Sequence, residues 1–383
     1  MEQMLRILMI APAFRPVLGG YERAAERLSS ALCRLGHRVT VITERRDTQW
    51  PRKEVVDQVE IVRLWCVYRS GVHILTSLIS FAIFLLTKGR RYHVFHIHQY
   101  GYHAALAVAI GRLLRKQVLI KVTSTSAEGI APALASRRFS NSVMALHRAA
   151  SACIVTSAET AREAAQFGIP HERITLLPNG IAIDEFRPAT DIEKMQLRFR
   201  FGITKPLVVL SSGRLVAFKN VVGLIESWDS IYRDLDAVLI IVGDGPLRST
   251  LESKCSQLGL ASSVRFVGQQ SDVAPWYQVA DVFVLPSLYE GLSNSLLEAM
   301  SSGLPVVSTR VSGSEDIFAE VDIGELTAPG DNEAMAASLA RLLADPTRRA
   351  ACGNRARTYA MAKYSIEGLA RDTSRLYERL VSL

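Results

Sequence analysis

What this chain lacks narrows its reading before any motif is considered. Cysteine is sparse, and Cys33, Cys66, Cys153, Cys255 and Cys352 lie far apart with no C-x-x-C pair. That spacing offers neither a zinc knuckle nor a disulfide framework, and reduced thiols are the default expectation. No apolar run reaches the roughly 20 residues of a membrane span. The longest, residues 74–86, is interrupted by Thr76, Ser77 and Ser80 and reads as a buried or interfacial helix. A nicotinamide-dependent dehydrogenase needs G-x-G-x-x-G after the first strand, and Ala11-Pro-Ala-Phe-Arg-Pro-Val-Leu-Gly-Gly20 does not supply it. No D-x-D motif offers an obvious Mg²⁺ ligand pair. The basic pairs, such as Arg45-Arg46 and Arg137-Arg138, are short and scattered without interleaved aromatics, so nucleic acid is not an expected partner.

What is present describes a globular α/β protein. At 383 residues, with 49% hydrophobic and 21% charged residues, the chain is too long for one ordinary core and suits two domains. Apolar, β-branched runs at 5–10, 38–43, 60–64, 94–98, 118–122, 153–156 and 174–177 alternate with helical segments. A second series follows at 207–210, 238–242, 264–267, 282–285, 306–308 and 324–327. Such alternation predicts parallel sheets with right-handed crossovers. Arg6 interrupts the first run and helix-like sequence follows it, so it reads as a strand and not a signal peptide. The turn Pro178-Asn-Gly180 and the pair Arg187-Pro188 mark the seam. The expected division is a first doubly wound domain over 1–184 and a second over 185–364, with a helix in 365–383 returning to the first domain and the ligand-binding edges facing across a cleft. The net charge of +8 is uneven: residues 1–185 carry 24 Lys and Arg against 14 Asp and Glu, the remainder 21 against 23. A basic first half suits either an ordinary solvated surface or an anionic membrane or acceptor.

Candidate chemistry gathers in the second half. Glu290-Gly-Leu-Ser-Asn-Ser-Leu-Leu-Glu298 follows an apolar strand and places two carboxylates around a polar loop that opens a helix. The positive helix start at Ser293, Asn294 and Ser295 suits a polyhydroxylated or anionic ligand. A capping box of Ser295 and Glu298 is the plainer reading, and it leaves Glu290 unexplained. Ser211-Ser-Gly-Arg214 with Lys219 puts two cations in a loop before a helix, where Arg offers a fork to phosphate oxygens and Lys a compact charge. Val242-Gly-Asp-Gly245-Pro and Phe266-Val267-Gly268 are tight strand-to-helix turns, and Gly19-Gly20 opens the first helix of the chain. All eight histidines lie within the first 171 residues. His96 and His98 share a strand face, but nearby carboxylate and cysteine ligands are missing, so no metal is expected. Polar lining of the binding edge is the reading for His98 and His103.

Together these turns resemble the retaining glycosyltransferases of family 4, which have the GT-B fold. Sharp resemblance runs from about residue 179 to 315 and rests on Gly19-Gly20, Pro178-Asn-Gly180, Arg214 with Lys219, Gly243-Asp-Gly-Pro246 and the E-x7-E pair Glu290 and Glu298. It implies that Arg214 and Lys219 bind the donor pyrophosphate, that Glu298 takes the ribose hydroxyls and that Glu290 lies near the donor sugar. Gly19 and Gly20, the backbone around Val267, the turn at Gly245 and the loop Gly291, Leu292, Ser293, Asn294 and Ser295 complete the implied donor site. Many relatives carry a His where this chain has Lys121-Val-Thr-Ser-Thr-Ser-Ala-Glu-Gly129, so Ser124 and Ser126 join His98 and His103 as acceptor-side candidates. The implied activity is a retaining, metal-independent hexosyl or N-acetylhexosaminyl transfer from a nucleoside-diphosphate sugar, in cell-surface polysaccharide or glycolipid assembly, without a cofactor. Departing phosphate that deprotonates the acceptor on the same face, or double displacement through Glu290, are both open routes. An inactive sugar-nucleotide-binding partner subunit is the alternative. The expected setting is the cytoplasm, with a saccharide or lipid-linked saccharide as acceptor at the inner face of the membrane.

Overall fold

The computed structural model describes residues 4–17, 19–122 and 140–382, the side chains of Ser140 and Asp234 excepted. Ser124 and Ser126 lie outside the described residues. The chain divides into two units, Met1–Gly180 with Ile366–Leu383, and Ile181–Ser365.

In the first unit the described strands are β1 (Arg6–Ile10), β2 (Arg38–Arg45), β3 (Lys53–Val56), β4 (Val59–Trp65), β5 (Val94–His98), β6 (Gln117–Val122), β7 (Ala152–Val155) and β8 (Ile174–Leu176). They form one sheet in the order β3-β4-β2-β1-β5-β6-β7-β8. Alternate residues fill two cores. Ile7, Met9, Leu119 and Ile154 face one side, while Leu8, Ile10, Phe95 and Ile97 face the other. Burial on both faces is what a doubly wound parallel sheet requires. The first face is covered by the helices Gly20–Arg34 and Ile366–Val381. The second helix presents Ile366, Leu369, Ala370, Thr373, Tyr377 and Leu380 as a buried stripe at helical spacing. Each fully buried Leu or Ile there contributes about 1.5–3 kcal/mol, which holds the end of the chain on the first sheet. Gly180 admits this helix start, since a Cβ there would lie 2.9 Å from the Ile366 Cα.

Only β3 departs from the expected strand series. It pairs antiparallel with β4 through the turn Asp57-Gln58, both of whose residues have positive φ (50° and 67°). Two positive φ values in a two-residue loop make a type I′ hairpin, usually written with Gly in the second place. Gln58 hides that signal. Residues 74–86 fall in the helix His73–Lys88, which buries Ser77, Phe81 and Leu85 and exposes Ile74, Leu75, Ile79, Ile83 and Leu86. Among the described residues no helix is long and apolar enough to cross a membrane.

The second unit contains β9 (Leu207–Ser212), β10 (Ala237–Val242), β11 (Val264–Gly268), β12 (Val282–Leu285), β13 (Val306–Thr309) and β14 (Gly324–Thr327). All of its strand pairings are parallel, in the order β11-β10-β9-β12-β13-β14. Val208, Leu210, Ile240 and Phe283 face one core, Val209, Leu239, Ile241 and Val284 the other. In both sheets the strand order reverses once, between β1 and β5 and between β9 and β12. Ligands of open α/β sheets bind beyond the carboxyl ends of the strands at such a reversal.

Candidate active site

In the second unit the loops after β9 and β12 flank that reversal, and they carry the candidate residues. Ser212, Gly213, Arg214, Lys219, Pro286 and Ser287 line one small pocket. Lys219 forms a short ion pair with Glu290, both side chains less than a fifth exposed. Ser287 Oγ donates to the same Glu290 oxygen at 3.3 Å. The loops are further joined by Leu288 N donating to Phe218 O at 2.8 Å and by stacking of Phe218 on Tyr289, with centroids 5.2 Å apart. A cation and a carboxylate from opposite sides of the reversal are thus held together, while Arg214 stays exposed on the rim. Asn220, at φ 50°, turns the chain from this loop into the helix Val221–Asp229.

The turns at Gly243 and Gly245 serve the scaffold. A Cβ on Gly243, whose φ is 134°, would lie 1.9 Å from Gly213 O. One on Gly245 would lie 2.5 Å from Leu215 O. The turns after β9 and β10 therefore stack backbone on backbone, and Leu215 N donates to Asp244 O at 2.9 Å. The Val267 carbonyl accepts from Gln270 Nε2 at 2.7 Å.

The helix Asn294–Ser301 begins after Ser293, whose side chain makes no cap. Gly291, Leu292 and Ser293 are buried and Asn294 and Ser295 half-buried. Ser293 Oγ and Ser295 Oγ lie 2.9 Å apart. Glu298 is buried and accepts at 2.9 Å from the hydroxyl of Tyr277, itself fully buried. The capping-box arrangement is thus not the one adopted. Tyr277 is a partner that sequence reasoning missed, because nothing in the spacing between helices reveals a phenol aimed at a carboxylate. The spacing D-x-D does occur once, at Asp234-Leu-Asp236, but it precedes β10 at the edge opposite these loops, and Asp236 pairs with Lys205 at 2.7 Å.

In the first unit Gly19 is the extended N-cap of the helix Gly20–Arg34. Its lack of a side chain makes room for Glu22, whose carboxylate would lie 2.2 Å from a Cβ. Burial and then the Glu22 charge push the Tyr21 phenol well above its ordinary range. Directly after β5, Gln99 holds φ at 126°, a costly value for a residue with a side chain. It stands at the reversal between β1 and β5, where no residue type in the sequence signals a positive φ. His103 Nε2 lies 2.8 Å from Ser77 Oγ and 3.9 Å from the buried carboxylate of Glu44. His98 is buried inside the sheet face instead of lining a surface. His96 Nδ1 meets the Tyr377 hydroxyl at 2.5 Å and stacks on His98 at 4.6 Å between centroids. Burial, with Lys121 nearby, lowers His96 to about 3 and His98 well below its ordinary value, so both rings are neutral. Among the described residues, Glu44, Cys66 and His73 bring metal-type ligand atoms within 4.8 Å of one another, but Arg46 at 3.0 Å and Ser77 at 2.8 Å already hold that carboxylate.

Two α/β units built on parallel sheets, each with one strand-order reversal, define the GT-B architecture. A solved structure with the same fold, Anabaena Alr3699/HepE in complex with UDP and glucose, matches with a TM-score of 0.81 at 18% identity, covering 99% of this chain and 100% of that one. Residues 193–359 match the family model for glycosyl transferases group 1, and residues 19–180 match a glycosyl transferase 4-like domain. An uncharacterized glycosyltransferase of Methanocaldococcus jannaschii is 28% identical, with 98% of each chain covered. The lipopolysaccharide core biosynthesis mannosyltransferase LpsB of Rhizobium meliloti is 26% identical over 97% of each. The chain belongs to the group 1 glycosyltransferases of the GT-B fold.

Proposed function

We propose that this glycosyltransferase moves a sugar from a nucleoside-diphosphate donor to an acceptor hydroxyl with retention of configuration, using Arg214 and Lys219 on the diphosphate, Glu290 beside the sugar and Glu298 on the ribose. The observation that carries this reading is the Lys219–Glu290 pair across the strand-order reversal, with Arg214 lining the same pocket. Diphosphate departure builds negative charge, and fixed cations aimed at that charge lower the barrier without reorganisation. Buried Glu298, oriented by Tyr277, is a preformed acceptor for hydroxyl groups. A thermal-shift panel of UDP, GDP, ADP and their sugars tests this directly, because a ligand that binds only the folded state raises its melting temperature. No response to any nucleotide would remove the reading.

The acceptor we infer is a lipid-linked saccharide at an anionic membrane face. The exposed stripe Ile74, Leu75, Ile79, Ile83 and Leu86, bordered in sequence by exposed Arg69, Lys88, Arg90 and Arg91, supports this surface. Each basic residue near such a surface contributes about 1 kcal/mol. Co-sedimentation with vesicles is expected to rise with anionic lipid and fall with salt. Equal recovery on neutral vesicles would favour a soluble acceptor.

A further inference from the structure

One face of the first sheet carries buried polar groups that the transfer reaction does not use. His98 and Lys121 are paired across β5 and β6 at the carboxyl edge, and His96 lies two residues back on the same face. Lys121, His96 and His98 are at most 1% exposed. Among the described residues, neither ring nitrogen of His98 has a hydrogen-bond partner, nor does His96 Nε2. The helix Ile366–Val381 descends over this face. Its first residue meets Gly180 just beyond β8 at the carboxyl edge, while Ser374 lies 2.8 Å from His37, which precedes β2 at the other edge. Tyr377 reaches His96, and Thr373 precedes it by one turn of the same helix, in the direction of the carboxyl edge. The Thr373 hydroxyl is also buried without a partner.

Buried polar groups are almost always satisfied, and a buried charge is almost always compensated. Burial lowers Lys121, to about 8, and among the described residues no carboxylate is paired with it. A metal ion would find a lysine amine here in place of a carboxylate or thiolate, and water brings no negative charge to a buried lysine. We propose that this face holds a small oxyanion, bound by the Lys121 ammonium and a ring N–H of His98, with the Thr373 hydroxyl as a further donor. The site is built from residues of the first unit alone.

The test uses the full chain carrying Arg214→Ala and Lys219→Ala, which removes the diphosphate cations and keeps the outcome independent of the donor-site reading. Melting temperature is measured against inorganic phosphate, with chloride at matched ionic strength as control. A saturable rise of about 2–4 °C is expected, and adding Lys121→Met abolishes it. Should Lys121→Met fail to fold, ¹⁵N-histidine spectra of the double variant replace it, with the His98 ring nitrogens identified by His98→Gln. Phosphate must shift them saturably. No rise over chloride, a rise that survives Lys121→Met, or unmoved His98 resonances would each overturn the site and leave buried water as the occupant.

Discussion

Replacing Lys219 by Ala separates the chemistry of this site from its architecture. Its ammonium pairs with Glu290, and both side chains keep 16–18% of their exposure. A partly solvated pair of this kind contributes on the order of 1 kcal/mol or less to folding after solvent screening. For a unit of this size that is about 2–4 °C in melting temperature. The expected catalytic loss is larger. Removing one preorganised donor from a developing negative charge costs roughly 2.7–4 kcal/mol, or about a hundredfold to a thousandfold in rate. Lys219 is the half-buried member of the cation pair, so its loss falls at the transition state more than in stability.

The assay is release of nucleoside diphosphate from the donor chosen by the thermal-shift panel, with melting recorded on the same samples. Turnover at least fiftyfold down at saturating donor, with melting within about 4 °C of the parent, fits the argument. Turnover within threefold of the parent would refute it. A fall in melting large enough to leave the variant unfolded at assay temperature would refute it too, because the pair would then be holding the two loops together. Glu290→Gln gives an internal check. If the pair acts as a unit, the double variant loses less than the sum of the two single losses.

Other perturbations follow from the same geometry. Tyr277→Phe removes a bond to a buried carboxylate, and about 1.5–3 kcal/mol is expected, read as weaker donor binding by calorimetry together with a lower melting temperature; no change in either would mean that Glu298 is held by other contacts. Glu298→Gln is expected to weaken donor binding more than folding, and the reverse order would make its role structural. Lys121 has a folded-state value of about 8 against an ordinary 10.5, so in chloride the unfolded chain binds more protons between those values and wild-type stability gains from this group as pH rises from 8 to 10.5. Lys121→Met lacks that gain, so its advantage over wild type in urea unfolding should be greatest below pH 8 and shrink above it; a constant difference would contradict the buried charge.

Most strands were legible because parallel sheets buried on both faces write themselves as apolar runs. Val238 to Val242 alternate between two cores, yet each residue is apolar. β3 was not legible, because its residues Lys53-Glu-Val-Val56 half face solvent and its turn uses Gln58 in a conformation normally signalled by Gly. The loop residues after β9 and β12 were legible as a set, since a cation pair and a carboxylate pair at strand ends are hard to explain by packing. Their pairing was not. That Lys219 meets Glu290 across 71 positions depends on β9 and β12 being neighbours, which local sequence does not encode.

The same limit applies to the glycines. Gly243 and Gly245 form the tight strand-to-helix turn the sequence suggests, and the space a Cβ would take at each is filled by the backbone of the neighbouring turn, at Gly213 and Leu215 respectively. Glycine reports close approach without saying by what. At Gly19 the approaching group is the Glu22 carboxylate, which places a negative charge in the first turn of the helix where an anionic ligand is expected. Any phosphate bound at that helix start must share the site with Glu22. Sugar hydroxyls, which donate to a carboxylate as readily as they accept from an amide N–H, suit that corner better, so Glu22 shifts the expected role of Gly19 and Gly20 from phosphate binding towards sugar or acceptor contact.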